Sequence, residues 1–432
     1  MGERLKQLER LAHIGDMRPR LVRKVDPDDV TTISTREGDP RDVGLTERDI
    51  DAIWGAVRRL YKTRLHPAIA LCLRRRGEVL IDRAVGHARG NSPDDDEGAV
   101  QVPATPDTLY NMFSASKCVT AMLIHLLQER GKLHVDEPVA TFIPEFAKHR
   151  KHRITVRDVL THRSGIPAVP VEVLDLDLLA RWDDIIALTC DLEPVLRAGG
   201  ETAYHALTGG FILGEIVRRV DGRDVRRFLG EEVSQPLGFA HFNYGVPPER
   251  LGDVALEAFT GPPSVGPPKD LLERALGMNM PELVDAANDP RFRTGIVPAG
   301  NVIGTPDDVC RYFELLLSGG VLDGKRIFEQ RTVARAVEEQ ARGQIDRTIF
   351  LPVPYSMGFM LGSDRFGFYG VHCGKAYGHL GFTNVLGWAD PERDISVALM
   401  TTGKPFITPK LLVWLDVMRT ISTRVPRDRV LP

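Results

Sequence analysis

Ser114-Ala115-Ser116-Lys117 places a nucleophile and a base one helical turn apart. At that spacing both side chains share one helix face. A serine hydroxyl attacks poorly until a neighbour takes its proton. A lysine held out of water can take it, because burial disfavours the ammonium form. The chemistry such a pair performs is acyl transfer, with the serine carrying the acyl group between two steps. The tetrapeptide alone is common, and an N-capping serine beside a surface lysine fits it as well.

Acyl transfer needs two further parts, one for the leaving group's proton and one for the tetrahedral oxyanion. Tyr204, in Gly199-Gly200-Glu201-Thr202-Ala203-Tyr204-His205-Ala206, is the candidate for the first. Beside a cationic lysine it is expected to approach the phenolate and shuttle protons. The plain alternative is a core tyrosine with a satisfied hydroxyl. For the second part, Gly378-His379-Leu380-Gly381-Phe382 offers two glycines that let backbone approach a ligand closely. The Phe382 N–H is expected to join the Ser114 N–H as an oxyanion hole. His379 is expected to donate to the substrate or hold Tyr204; its structural alternative is an ordinary strand histidine.

The elements that must position these residues are legible. Asp107 to Phe113 reads as an extended approach, and Cys118 to Leu127 as a helix apolar nearly all round, hence buried, closed by Gly131. Thr46-Glu47-Arg48-Asp49 resembles a capping box ahead of Ile50, Ile53, Trp54, Val57, Leu60 and Tyr61 at helical spacing. Ala68–Leu73 and Val79–Val85 read as strands turned at Arg76-Gly77-Glu78, followed by a polar loop over 90–105. Helices capped near Thr155 and built around 209–217 lie in the middle. Strands return at Asn384–Ala389 and Ile395–Thr401, with a helix over about 408–421. The expected fold class is therefore α/β (α+β), an antiparallel sheet built from both chain ends, flanked by helices, with an inserted helical domain. The boundaries that follow are an N-terminal extension over 1–44, an α/β domain from 45–135 and 291–432, and a helical insert over 136–290.

Composition narrows the function classes. The 432 residues carry a formal net charge of -3 and are 43% hydrophobic and 27% charged, which gives no bulk case for nucleic acid or a membrane surface. No apolar run approaches the roughly 18 residues of a membrane span. The first residues, Met1-Gly2-Glu3-Arg4-Leu5-Lys6, lack an apolar signal core. Five scattered cysteines form no metal-ligand spacing and suit a reducing compartment, so a cytoplasmic location is expected and no metal or cofactor is. The basic extension, with a narrow Leu5, Leu8, Leu11 face, reads as an arm packed on the body or on a second subunit, a route to a homo-oligomer. Gly-x-Ser-x-Gly and His-Glu-x-x-His are absent, and Gly319 to Lys325 fails as a phosphate loop because Arg326 follows.

Taken together, Ser114-x-x-Lys117, Tyr204 and His379-Leu380-Gly381 resemble, in order and spacing, the serine β-lactamase-like family, notably its class C and family VIII carboxylesterase branch. Asp158 to Ile166, Gln235 to Phe239 and Pro298 to Asp308 resemble that family's connecting stretches, and the resemblance covers roughly 50–420. It implies a β-lactamase/transpeptidase-like fold, with Ser114 acylated, Lys117 its base, Tyr204 assisting proton transfer, and the Ser114 and Phe382 amides holding the oxyanion. Two departures matter. Ala206 stands where lactam-active members carry Asn, and His379 where they carry the Lys of Lys-Thr-Gly. The second removes a cation that would face a substrate carboxylate. Both favour a neutral carboxylic ester of short to medium acyl chain as the small-molecule partner, with Trp182, Phe382 and Tyr355–Phe359 as apolar walls. The rivals are a β-lactamase, D-amino acid peptidase or acyltransferase of the same fold, and a catalytically inactive scaffold.

Overall fold

The computed structural model describes residues 19–167, 175–262, 277–341, 343–406, 408–428 and 431. The basic start of the extension, with Leu5, Leu8 and Leu11, lies outside the described residues. What is described of the extension packs on the body: β1 (Thr31–Ile33) is the outermost strand of the main sheet, and Arg20 exchanges backbone hydrogen bonds with Gly261.

Thr46 and Asp49 close a reciprocal capping box that starts α1 (Glu47–Lys62). Arg76 and Gly77, at φ 51° and 89°, turn β2 (Ala68–Arg75) into β3 (Glu78–Arg89). The far end of β3 pairs with β4 (Val102–Pro103), a strand inside what the sequence reads as loop. Two residues carry no period, so only the length of β3 could have announced a partner.

The interior helices are α2 (Ser116–Glu129), α3 (Trp182–Asp191), α4 (Thr208–Asp221), α5 (Met280–Asn288) and α6 (Pro306–Leu317). In α2 every residue from Ser116 to Leu127 is buried, as its all-round apolar sequence requires. The chain then supplies β5 (Met360–Leu361), β6 (Tyr377–Leu380), β7 (Leu386–Asp390) and β8 (Ile395–Thr401), and closes with α7 (Leu411–Arg424).

The sheet runs β1-β3-β2-β8-β7-β6-β5, antiparallel throughout. β2 lies against β8 from Ile69↔Thr401 to Arg75↔Ile395, so the two chain ends meet at the centre of the sheet. One face packs on α1 and α7. The other packs on α2 and α6 and continues into the helical layer around α4. The middle of the chain also contributes strands. Phe242–Tyr244 pairs with Val302–Gly304, which pairs in turn with Tyr110–Asn111. That small sheet delivers the chain to Ser114.

Candidate active site

Between Tyr110–Asn111 and α2 the backbone makes one 3-10 turn, Phe113–Ala115, with Ser114 at its centre. Phe113 sits at φ 48°, a left-handed conformation that is costly for a bulky residue. Asn111 holds it there: its Oδ1 accepts from the Phe113 N–H at 2.9 Å. Ser114 caps no helix, and the cap position of α2 is Ala115. The serine hydroxyl is therefore free to face Lys117.

Lys117 is 8% exposed, and its Nζ lies 3.2 Å from Ser114 Oγ. It also donates to the Ala206 carbonyl at 2.9 Å and the Ala299 carbonyl at 3.1 Å. Burial without a carboxylate partner brings its pKa down to about 7. A neutral amine has two N–H groups and one lone pair. With the two N–H groups spent on Ala206 and Ala299, the lone pair is left for the Ser114 proton. Close packing of α4 makes this possible. A Cβ on Gly210 would stand 2.5 Å from the Ala299 nitrogen, so only glycine lets the helix reach the 298–300 segment.

Tyr204 completes the cluster. Its ring centroid is 4.7 Å from Lys117 Nζ, and its hydroxyl hydrogen-bonds with Ser114. Burial raises the phenol pKa, and the Ser114 hydrogen bond opposes this only in part. The expectation of a near-phenolate therefore fails. The direction of both shifts, Lys117 down and Tyr204 up, makes Tyr204 a donor to Ser114 and its surroundings. Its backbone is fixed by Asp346, fully buried, whose Oδ1 accepts from the Tyr204 N–H at 3.1 Å. The same carboxylate accepts from the Thr348 and Ile349 amides and from the Tyr355 hydroxyl.

His379 lies on β6, its ring 6.0 Å from that of Tyr204. Burial, then the Lys117 charge, lowers its pKa to about 3, so it is neutral. Nδ1 donates to the Leu380 carbonyl at 2.7 Å, and Nε2 is buried without a partner. Its free nitrogen is thus an acceptor, which corrects the expectation that it donates to substrate. His162, at φ 58°, packs with its ring centroid 4.8 Å from that of Tyr204, tilted by 49°, and its Nδ1 accepts from the His205 N–H. It lies in the connecting stretch Asp158 to Ile166, which carries no candidate site residue in the sequence.

Gly381 brings β6 against the serine turn. A Cβ there would stand 2.4 Å from the Met112 carbonyl. Phe382 follows, its ring 5.6 Å from Phe113 in an edge-on contact. Among the described residues the Ser114 and Phe382 N–H groups have no hydrogen-bond partner. Both residues line one cavity of about 500 Å³, together with Tyr204, Ala206, Ala299 and Gly381. The rest of its wall is almost wholly apolar, and Asp175 is the one charged side chain in it among the described residues. Trp182 is elsewhere: its Nε1 donates to Glu215 on α4 at 2.7 Å, and its ring packs on Phe211. Tyr355 braces Asp346 and Met357 faces His125, so neither is a cavity wall. Among the described residues no His, Cys, Asp and Glu side chains cluster to hold a metal ion. All five cysteines are buried and free.

A family model described as Beta-lactamase matches residues 56–415. The chain is 27% identical over 322 residues to "Esterase/beta-lactamase LipL" of Mycobacterium tuberculosis, covering 69% of this chain and 70% of that one. It is 30% identical over 285 residues to "Esterase EstB" of Burkholderia gladioli, covering 62% and 69%. Among solved structures, a penicillin-binding protein homologue from Caulobacter crescentus superposes with TM-score 0.73 at 27% identity, over 88% of this chain and 99% of that one. A family VIII carboxylesterase superposes with TM-score 0.72 at 25% identity, over 87% and 98%.

Proposed function

The chain belongs to the beta-lactamase family of serine hydrolases, and from that premise we propose that it is a carboxylesterase working through an acyl-enzyme on Ser114. Lys117 takes the Ser114 proton as Oγ attacks the ester carbonyl. The developing oxyanion sits between the Ser114 and Phe382 amides. Tyr204 passes a proton to the departing alcohol. The Lys117 ammonium returns a proton to Tyr204; water then attacks the acyl carbonyl, its proton passing to Lys117 and on to Ser114 Oγ as the carbonyl–Oγ bond breaks and the acid departs. The observation that carries this reading is Lys117 itself: 3.2 Å from Ser114 Oγ, facing no carboxylate, and lowered to about 7. A lysine so placed is costly to bury charged, and its carbonyl, hydroxyl and ring neighbours repay that cost less than a carboxylate would.

The neutral-ester part rests on the cavity wall, where among the described residues no cationic side chain stands ready for a substrate carboxylate. The relatives named as esterases support it. The test is p-nitrophenyl ester turnover and fluorophosphonate labelling read by intact-protein mass spectrometry, beside Ser114→Ala. Turnover, with one adduct that Ser114→Ala loses, is the expected result. Nitrocefin turnover exceeding that of every ester would move the reading to a β-lactamase. A folded protein with neither adduct nor turnover would make it an inactive scaffold.

A further inference from the structure

Between β6 and β7 the chain turns back through residues 381–385, closed by the Gly381 N–H donating to the Val385 carbonyl at 2.8 Å. Thr383 and Asn384 stand in that turn at φ 32° and 68°, two consecutive left-handed residues that are not glycine. For the β-branched Thr383 this conformation is costly. Both follow Phe382 directly, and consecutive Cα atoms are about 3.8 Å apart, so both stand within about 8 Å of the Phe382 Cα. Both also line the cavity at Ser114.

Their polar atoms are incompletely paired. Thr383 Oγ1 is buried with no hydrogen-bond partner. Asn384 is 6% exposed, and its Nδ2 lies 3.4 Å from His66 Nε2. Burial, then the Lys404 charge, lowers the His66 pKa to about 3, so the ring is neutral. An amide nitrogen can only donate, so His66 Nε2 accepts there and Asn384 keeps its Oδ1 for another donor. The Trp414 indole lines the same cavity but is already spent on the Asn384 backbone carbonyl at 3.1 Å. Elsewhere in the wall, Thr189 donates to the Ile185 carbonyl and Asp175 accepts from the Asp177 N–H.

We propose, resting on the esterase reading, that Thr383 and Asn384 determine specificity by binding a hydroxyl group of the substrate, three or four bonds from the scissile carbonyl. The choice of a hydroxyl follows from the two atoms. Thr383 Oγ1–H needs an acceptor and Asn384 Oδ1 needs a donor. A hydroxyl is both at once, whereas an ether or ketone only accepts and an amide N–H only donates. Rotation of Thr383 about its Cα–Cβ bond, between staggered positions, turns its hydroxyl to the cavity. An ester with a methyl group in place of that hydroxyl expels water from the pair and leaves both atoms unpaired against an apolar wall. That penalty on the wrong substrate is how buried polar groups discriminate.

The hydroxyl belongs to the acid or to the alcohol, and two isosteric pairs of esters separate these sources. The first is p-nitrophenyl 3-hydroxybutyrate against p-nitrophenyl 3-methylbutyrate. The second is 2-hydroxyethyl butyrate against propyl butyrate. Each kcat/KM is divided by the ester's alkaline hydrolysis rate, which removes intrinsic reactivity. Expected for the native enzyme is a hydroxy-to-methyl ratio of about ten to 100 in at least one pair, and the pair that shows it names the arm. Thr383→Val brings that ratio close to one, and Thr383→Ser restores most of it. Asn384→Gly, which accepts the left-handed backbone, lowers the ratio as well and serves if Thr383→Val misfolds. A merely structural role for either residue slows both members of a pair alike and leaves the ratio in place. Ratios of one or less in both pairs, or a high ratio that survives Thr383→Val and Asn384→Gly, overturn the hydroxyl assignment while ester turnover keeps the esterase reading standing. Absence of turnover of any ester, with no fluorophosphonate label on Ser114, overturns both.

Discussion

Lys117 and Lys404 are two buried lysines that both touch the Phe113–Ala115 turn, and their charges are handled differently. Lys404 Nζ lies 4.6 Å from the Phe113 ring centroid and donates to the Thr401 carbonyl at 2.8 Å. It pairs with Glu257 at 3.0 Å, with the lysine fully buried and the glutamate nearly so. Burial pulls the Lys404 pKa down while Glu257 pushes it back up, and burial lifts the Glu257 carboxyl to about 7. Lys117 has no such partner. Its companions are one hydroxyl, two carbonyls and a tyrosine ring, none of which repays a buried charge as a carboxylate does. A lysine given a counter-ion is a fixed cation that props the turn holding Ser114; one denied it is a base.

The sharpest way to break the contrast is to replace each lysine by methionine. Lys117→Met is expected to lose about 10⁴-fold or more in kcat and to gain about 2 kcal/mol in stability, since the site no longer has to hold an amine out of water. Tyr204→Phe comes next, with a loss of about 10²–10⁴ in kcat at near wild-type stability. Gly381→Ala is expected to cost about tenfold or more, because its methyl meets the Met112 carbonyl and pushes β6 off the serine turn. Lys404→Met has the smallest effect on chemistry and the reverse effect on stability. It leaves Glu257 buried and unpaired, costs about 3–5 kcal/mol, and changes kcat per folded molecule less than any variant above. Urea unfolding with initial-rate kinetics on each variant checks all four. Equal stability changes for the two lysine variants would erase the distinction.

How much of this was legible in the sequence depends on range. Ser114 and Lys117 share one turn, so their spacing carried the site. The centre of the sheet, β3, β2, β8 and β7, was readable because those strands alternate or run apolar over five residues or more and their turns carry Gly, Pro or Asp, whereas β1, β5 and β6 are four residues or fewer. The acceptors that set Lys117 are backbone carbonyls of Ala206 and Ala299, and a carbonyl has no residue signature. Glu257 and Lys404 are far apart in sequence, and neither sits in a motif. Asp346 and Asn111 had a faint signal, since both accept from amides two residues on, as turn-forming side chains do. Trp182 misled because an aromatic residue near a candidate site looks like a wall until its indole finds Glu215.

Lys117 as the base predicts a pH dependence with a fixed sign. Below about pH 7 the amine is protonated and cannot take the Ser114 proton; above it, the amine is neutral and the rate levels. The direct measurement is the rate of fluorophosphonate adduct formation on Ser114, followed by intact-protein mass spectrometry from pH 5 to 9. The account predicts a single adduct whose rate rises about tenfold per pH unit, levels near 7, and collapses at every pH in Lys117→Met. A pH-independent rate, or an adduct that persists in Ser114→Ala, would contradict it.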